Sequence, residues 1–143
     1  MRSHLLLAAA LLVSASASFA ASDQYLVLDH SSEALIDNAG AMSIWQAQAN
    51  DNQRERLQKL YPVSKWGFVS QVVGGFTAEK ACVVTARALM VPRLVGSRLL
   101  FEPRKTATAF ATQAGATNEQ CRELAAAKLK EAIVAVRSSL IVP

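Results

Sequence analysis

The sequence contains very little histidine, the residue most often used for acid–base catalysis and for metal binding. It has two histidines, of which His4 lies in the first twenty residues and only His30 follows them. Two cysteines, Cys82 and Cys121, lie far apart, and neither an H-x-x-x-H nor a C-x-x-C spacing occurs. Because zinc sites commonly use such spacings, we expect no metal site and no cofactor.

Motifs of nucleophilic and nucleotide chemistry are missing as well. No phosphate loop or dinucleotide fingerprint is present, and Gly74-Gly75 alone indicates a bend. Residues 95–99 (VGSRL) lack the second glycine of a nucleophile elbow. Residues 29–31 (DHS) contain the residue types of a catalytic triad, but adjacent residues of an extended strand point in different directions, whereas a triad converges. We therefore expect that the protein is not an enzyme.

Neither sign of charge dominates the chain. Fifteen Lys and Arg face eleven Asp and Glu, and without Arg2 the formal charge is +3. The densest basic stretch contains Arg93, Arg98, Arg104 and Lys105. These residues are spread over thirteen positions that include a single aromatic, Phe101. We expect a solvated loop here and no nucleic-acid partner; an anionic partner or membrane headgroup is the alternative.

No apolar run approaches the roughly 20 residues that a membrane-spanning helix needs. Residues 1–20 combine a basic start at Arg2, an apolar run over residues 5–13 and small residues at the end, which is typical of an export signal. We predict cleavage after Ala20, with cleavage after Ala17 as the alternative, and a single globular domain over residues 21–143. The short alanine-rich signal indicates a bacterial protein of the periplasm or, alternatively, of the medium. No cysteine near the cleavage point could carry a lipid anchor.

The two cysteines of an exported domain favour a disulfide, because the compartment is oxidising. Thirty-eight residues separate Cys82 from Cys121, which is unlike the close spacing of redox-active pairs. Their bond would close a loop of about forty residues and stabilise the fold by roughly 3–4 kcal/mol through the entropy of the unfolded chain. We predict a structural disulfide.

The C-terminal helix is the clearest element in the sequence. Residues 117–120 (TNEQ) fit a capping box in which Thr117 is the N-cap and Gln120 reaches back to it. The stripe that we predict to be buried contains Cys121, Leu124, Ala125, Leu129, Ala132, Ile133, Val136 and Leu140. The charged residues that we expect to face away from it are Arg122, Glu123, Lys130, Glu131 and Arg137.

Strand patterns fill the middle of the chain. Residues 66–73 and 81–91 are rich in β-formers, and residues 105–112 alternate strictly between alanine and larger side chains. Within 81–91 the face that carries Cys82 is apolar and small, which favours close packing of a helix. Short connections predict an antiparallel sheet of three to four strands with the C-terminal helix on one face, and an N-terminal strand and helical segment covering the rest. The predicted class is α+β.

The N-terminal half is less regular. Residues 22–29 contain a short apolar run, QYLVL, that suits a strand. Residues 33–37 suit a short helix capped by Ser31 or Ser32, and residues 38–40 suit a turn. Residues 41–60 fit either one helix or a strand followed by a helix. We favour the helix, which Pro62 should end.

The second face of the 81–91 strand is too apolar to be freely solvated and too mixed to be plain core. We expect an N-terminal segment containing Tyr25, Leu26, Leu28 and Trp45 to cover it, with a partner as the alternative. The candidate interaction surface consists of Arg87, Leu89, Arg93, Arg98, Arg104 and Lys105. Residues 105–112 could also form an edge strand that accepts a strand from another chain.

Together these features predict an exported, non-enzymatic binding protein that acts through a protein partner, as an inhibitor, an immunity protein or an accessory subunit. The alternative is a protein that binds a small ligand or the envelope surface. It would use a pocket between sheet and helix, or the loop over residues 93–105.

Overall fold

The computed structural model describes residues 24–49 and 51–142. In chain order these residues form β1 (Leu26–Asp29), α1 (Asn38–Ala47), α2 (Asp51–Leu60), β2 (Trp66–Phe76), β3 (Ala81–Leu94), β4 (Arg98–Leu99), β5 (Lys105–Ala114) and α3 (Asn118–Ile141). The α+β class predicted from the sequence is confirmed. The predicted export signal and its cleavage site lie outside the described residues.

The strands form one mixed sheet whose centre is antiparallel. β2 pairs with β3, and β5 pairs with β3 on its other side, both antiparallel. The short β4 also pairs with the end of β3. The antiparallel pairing predicted for the middle of the chain is therefore confirmed. The N-terminal β1 joins β2 in parallel, because the chain between them contains α1 and α2 and is long enough for a crossover. Among the described residues β5 pairs with β3 alone, so it is an edge strand.

The β2 strand passes very close to β3 at Gly74. This glycine has a φ of +148°, and a Cβ at its position would lie 1.9 Å from the carbonyl oxygen of Val83. The following Gly75 has a similar φ of +154°, but a Cβ there would meet no atom within 4 Å. Only a residue without a side chain therefore allows the backbones to approach at position 74.

α3 packs across β3 and β5 on one face of the curled sheet. Several alanines lie in this contact: Ala86 and Ala88 of β3, Ala109 of β5, and Ala125 and Ala132 of α3 are all buried. Small side chains on both surfaces let the helix lie close to the sheet, as the small apolar face predicts.

A disulfide joins β3 to the first turn of α3. It links Cys82 to Cys121, whose Cα atoms are 5.7 Å apart and whose side chains are both buried. The predicted structural disulfide is therefore present, and it is compatible with an extracytoplasmic location.

α1 begins earlier than the sequence pattern suggests. The carboxylate of Asp37 accepts a hydrogen bond of 2.7 Å from the backbone N–H of Gly40, which makes Asp37 the N-cap. The turn predicted over residues 38–40 is wrong, since these residues form the first helical turn. The helix predicted over residues 33–37 is only a turn closed on the carbonyl of Ser32. Gln48 ends α1, so residues 41–60 form parts of two helices rather than one.

The N-terminal segment packs on the same face of the sheet as α3. Trp45 of α1 is buried, and both its ring and that of Tyr25 lie 5.0 Å from the ring of Phe68. Leu26 and Leu28 lie within β1, beside β2 rather than over it. The N-terminal segment therefore covers the rest of the sheet face on which α3 packs, which we call the helix face. It does not cover the second face, because β1 adds to the edge of the sheet and satisfies its backbone hydrogen bonds there.

β3 is longer than predicted, because it continues past Pro92 to Leu94. The carbonyl of Pro92 accepts a hydrogen bond of 2.9 Å from the N–H of Leu100, and the N–H of Arg93 donates to the carbonyl of Lys65. Within the described ranges, no helix is long and apolar enough to cross a membrane.

Candidate functional site

The second face of the sheet combines a small apolar cluster with polar surroundings. Val69, Leu89 and Val91 are buried there, and Leu99 packs against them. Arg87 on the same face of β3 is exposed. The face is thus neither a second core nor an ordinary solvated surface.

A groove of about 540 Å³ crosses this face. Its lining includes His30, Val69, Arg87, Leu89, Phe101 and Thr108. Val69 and Leu89 are buried and form an apolar floor, whereas Phe101 is 66% exposed. An aromatic side chain of that exposure beside an apolar floor provides a surface that a partner could bury. We call this feature the second-face groove.

The structure brings together only some of the predicted interaction residues. Arg87 and Leu89 both line the second-face groove, although Leu89 is 6% exposed and contributes apolar floor. Arg93 lies elsewhere: its Nη1 donates to the carbonyl of Val63 at 3.0 Å, and it lines a separate depression with Ser97. Arg98, Arg104 and Lys105 are exposed like Arg87, but they lie on or between β4 and β5 and do not line the groove.

Two parts of the groove are absent from the predicted set. Thr108 lies on the same face as Arg87, its partner in the β3–β5 register. The alternation of residues 105–112 indicated that Thr108 lies on the face of the strand opposite to the alanines. Phe101 lies in the connection from β4 to β5, and no local pattern indicated that this connection would place it beside the apolar cluster.

The chain around the groove is basic. Residues 81–118 contain five Lys and Arg but one acidic residue, Glu102. Since the whole chain has a formal charge of +4, this segment holds most of the excess positive charge. Such a distribution attracts acidic surfaces during diffusional encounter.

The residues that resemble a triad in sequence do not converge. His30 lines the second-face groove. On the helix face, the carboxylate of Asp29 accepts hydrogen bonds of 2.7 Å from the hydroxyls of Ser31 and Ser70, and Trp45 Nε1 donates to Ser70 Oγ at 3.0 Å. This network holds Trp45 in place, and it gives Asp29 and Ser31 a structural role.

A second concavity lies on the helix side of the molecule, between the N-terminal elements, β2 and α3. It has a volume of about 150 Å³, and we call it the Arg137 cavity. Three aromatic side chains, Tyr25, Trp45 and Phe68, form an apolar part of its wall together with Val27 and Met42. The polar part of the lining consists of Gln24, Gln46, Gln58, Arg54 and Arg137.

Arg137 is 7% exposed, so the prediction that it faces away from the buried stripe is wrong. Its position is four residues after Ile133 and three before Leu140, both buried, so helical spacing places it beside the stripe. Burial lowers the pKa of the Arg137 guanidinium, and the nearby Tyr25 opposes this shift. Burial likewise raises the pKa of Tyr25 to about 12. Arg137 Nε has no hydrogen-bond partner.

The described part of the chain contains no group of three or more His, Cys, Asp or Glu side chains arranged to hold a metal ion. No protein-family model matches the sequence, and no curated protein matches it significantly.

Proposed function

We propose that this is an exported, periplasmic binding protein that acts without catalysis, by docking the second-face groove onto an acidic surface of a protein partner. Inhibitors, immunity proteins and accessory subunits act in this way. The observation that carries the proposal is the buried apolar floor of Val69 and Leu89 beside exposed Arg87, in a basic stretch of the chain. Secretion into the medium is the alternative location.

Apolar and charged groups have separate roles in this proposal. Burial of Phe101 and of the exposed parts of the groove supplies the hydrophobic contribution to binding. Aromatic and arginine side chains are the residues that most often dominate interface energies, which favours Phe101 and Arg87 as anchors. The exposed Arg104 follows Pro103, which lines the groove, and it speeds association with an acidic partner.

The test uses the full, oxidised chain as bait in an envelope extract from the source organism. One variant reverses two exposed charges in and beside the groove, Arg87→Glu with Arg104→Glu, since Arg104 follows the groove residue Pro103. The matched control reverses two exposed charges on the helices, Lys59→Glu with Lys130→Glu. Any captured protein is then purified, and its affinity is measured by calorimetry at low and at physiological salt.

We expect the wild type and the helix control to retain the same acidic protein and the groove variant to lose it. Reversal of two exposed charges should weaken binding by roughly tenfold or more, with a stronger effect at low salt. Phe101→Ala should weaken binding at both salt concentrations. The proposal is overturned if a purified partner binds the wild type, the groove variant and the helix control equally, or if no protein is retained by the wild type.

A further inference from the structure

The Arg137 cavity is independent of the second-face groove, because the sheet separates the two. Its walls are held rigidly by the interactions described above. Tyr25 meets Phe68 edge to face at 76°, and Trp45 is inclined to the same ring at 37°. The Tyr25 hydroxyl donates a hydrogen bond of 2.5 Å to the carbonyl of Tyr61. A cavity with such fixed aromatic walls is preorganised for a flat apolar group.

The charge at the end of this cavity has no counter-ion among the described residues. Arg137 is buried, its Nε lacks a hydrogen-bond partner, and no described carboxylate forms an ion pair with it. A buried guanidinium is strongly unfavourable unless it is paired with an anion and hydrogen-bonded. The Nε–H of Arg137 therefore lacks an acceptor.

Tyr25 supplies no counter-charge to Arg137. A phenol of ordinary pKa is already neutral at physiological pH, and burial raises the pKa of Tyr25 further, to about 12. Its proton is donated to the carbonyl of Tyr61. The described lining contains no carboxylate. The electrostatic environment thus favours an anion over a neutral or cationic guest.

We propose that the Arg137 cavity binds a small aromatic carboxylate, with the carboxylate paired to the Arg137 guanidinium and the ring packed among Tyr25, Trp45 and Phe68. Arginine and carboxylate form paired, charge-assisted hydrogen bonds, and Nε–H is one of the donors available for such a pair. The apolar part of the ligand replaces water along the aromatic walls.

The size of the cavity limits the ligand. A cavity of about 150 Å³ in another protein holds benzene, and the Arg137 cavity has a volume of about 150 Å³. It is smaller than the sites of about 300–1,000 Å³ that hold drug-sized molecules. A single ring with a short acidic arm therefore fits, and fused polycyclic acids do not.

The experiment measures the binding of benzoate and phenylacetate to the full, oxidised chain by calorimetry, with benzamide as the uncharged probe of the same shape. Arg137→Met removes the charge and retains most of the side-chain volume. Lys130→Met is the matched control, since Lys130 is an exposed residue of the same helix. The NMR signal of Arg137 Nε–H reports contact with the ligand directly.

We expect at least one of the two acids to bind the wild type and the Lys130 control more tightly than benzamide does, and to shift the Nε–H signal. Arg137→Met should weaken acid binding by about ten- to a hundredfold and leave benzamide binding unchanged, which would also show that the variant is folded. Without ligand, its melting temperature should equal or exceed that of the wild type, because a buried unpaired charge is removed. If Arg137 had a purely structural role, Arg137→Met would instead lower the melting temperature.

Three outcomes overturn the proposal. One is the absence of binding by either acid at millimolar concentration, and another is equal acid affinity in the wild type and Arg137→Met. The third is tighter binding of inorganic phosphate than of either acid, which would assign the cavity to a phosphate group. None of these outcomes bears on the second-face groove, which is tested with other variants and another ligand.

Discussion

Gly74 is the residue at which the pairing of β2 with β3 is most constrained. Its φ is positive, and the space that a Cβ would occupy is already filled by the carbonyl of Val83. Gly75 shares the backbone conformation but faces open space. A comparison of the same substitution at the two glycines therefore separates the effect of backbone strain from the effect of steric overlap.

We predict that Gly75→Ala lowers the free energy of unfolding by about 1–3 kcal/mol through backbone strain alone. Gly74→Ala should cost about 1–3 kcal/mol more, because the strands must also move apart. Urea denaturation of both variants measures the difference. Equal losses in the two variants would contradict the interpretation that contact with Val83 is the decisive constraint.

Asp29 and Ser70 show at the same scale how polar side chains are accommodated beside the core. Ser70 is fully buried, but its hydroxyl donates to Asp29 and accepts from Trp45. A buried hydroxyl costs little when its hydrogen bonds are made. These residues fix the orientation of Trp45, and the aromatic wall of the Arg137 cavity depends on that orientation.

Among the elements, α3 has a well-defined start. Thr117 Oγ accepts from the N–H of Gln120 at 3.2 Å, and the Gln120 side chain accepts from the N–H of Thr117 at 2.9 Å. Cys121, the next residue, is bonded to β3. The capping box and the disulfide therefore act on the same turn of the helix.

We predict that Thr117→Ala destabilises the oxidised protein by about 1 kcal/mol, because the N–H of Gln120 loses its acceptor. Thr117→Ser, which keeps the hydroxyl, should cost much less. Thermal unfolding of the two variants tests this prediction. A loss of equal size in both would show that the methyl group of Thr117, rather than its hydroxyl, matters.

At the scale of the whole molecule, the disulfide connects two parts of the chain that are 39 residues apart. The strands β4 and β5 lie within the loop that it closes. Cys82 and Cys121 are both buried, so alanine is a better replacement than serine, whose hydroxyl would need a buried partner.

We predict that the double variant Cys82→Ala/Cys121→Ala loses about 3–4 kcal/mol of stability, since its unfolded chain is no longer cross-linked. Urea denaturation with and without reductant measures this loss, and reduced wild type serves as the control. A double variant as stable as the oxidised wild type would contradict a stabilising role for the bond.

The two proposed sites lie on opposite sides of the sheet, and they were not equally accessible from the sequence. Arg87 and Leu89 were placed on one face by the alternation of β3, so part of the second-face groove could be predicted. Arg137 could not be assigned correctly from its charge alone, although its spacing from Ile133 and Leu140 indicated the buried side of α3.

Local patterns were sufficient for the features that depend on near neighbours. The period of two in β3 and β5, the helical period and cap of α3, and the pairing of the only two cysteines all follow from short-range geometry or from elimination. Tertiary packing alone decided that β1 adds in parallel and that the N-terminal helices share a face with α3. It also decided that Arg137 is enclosed, because burial of one side chain depends on which distant segments pack over it.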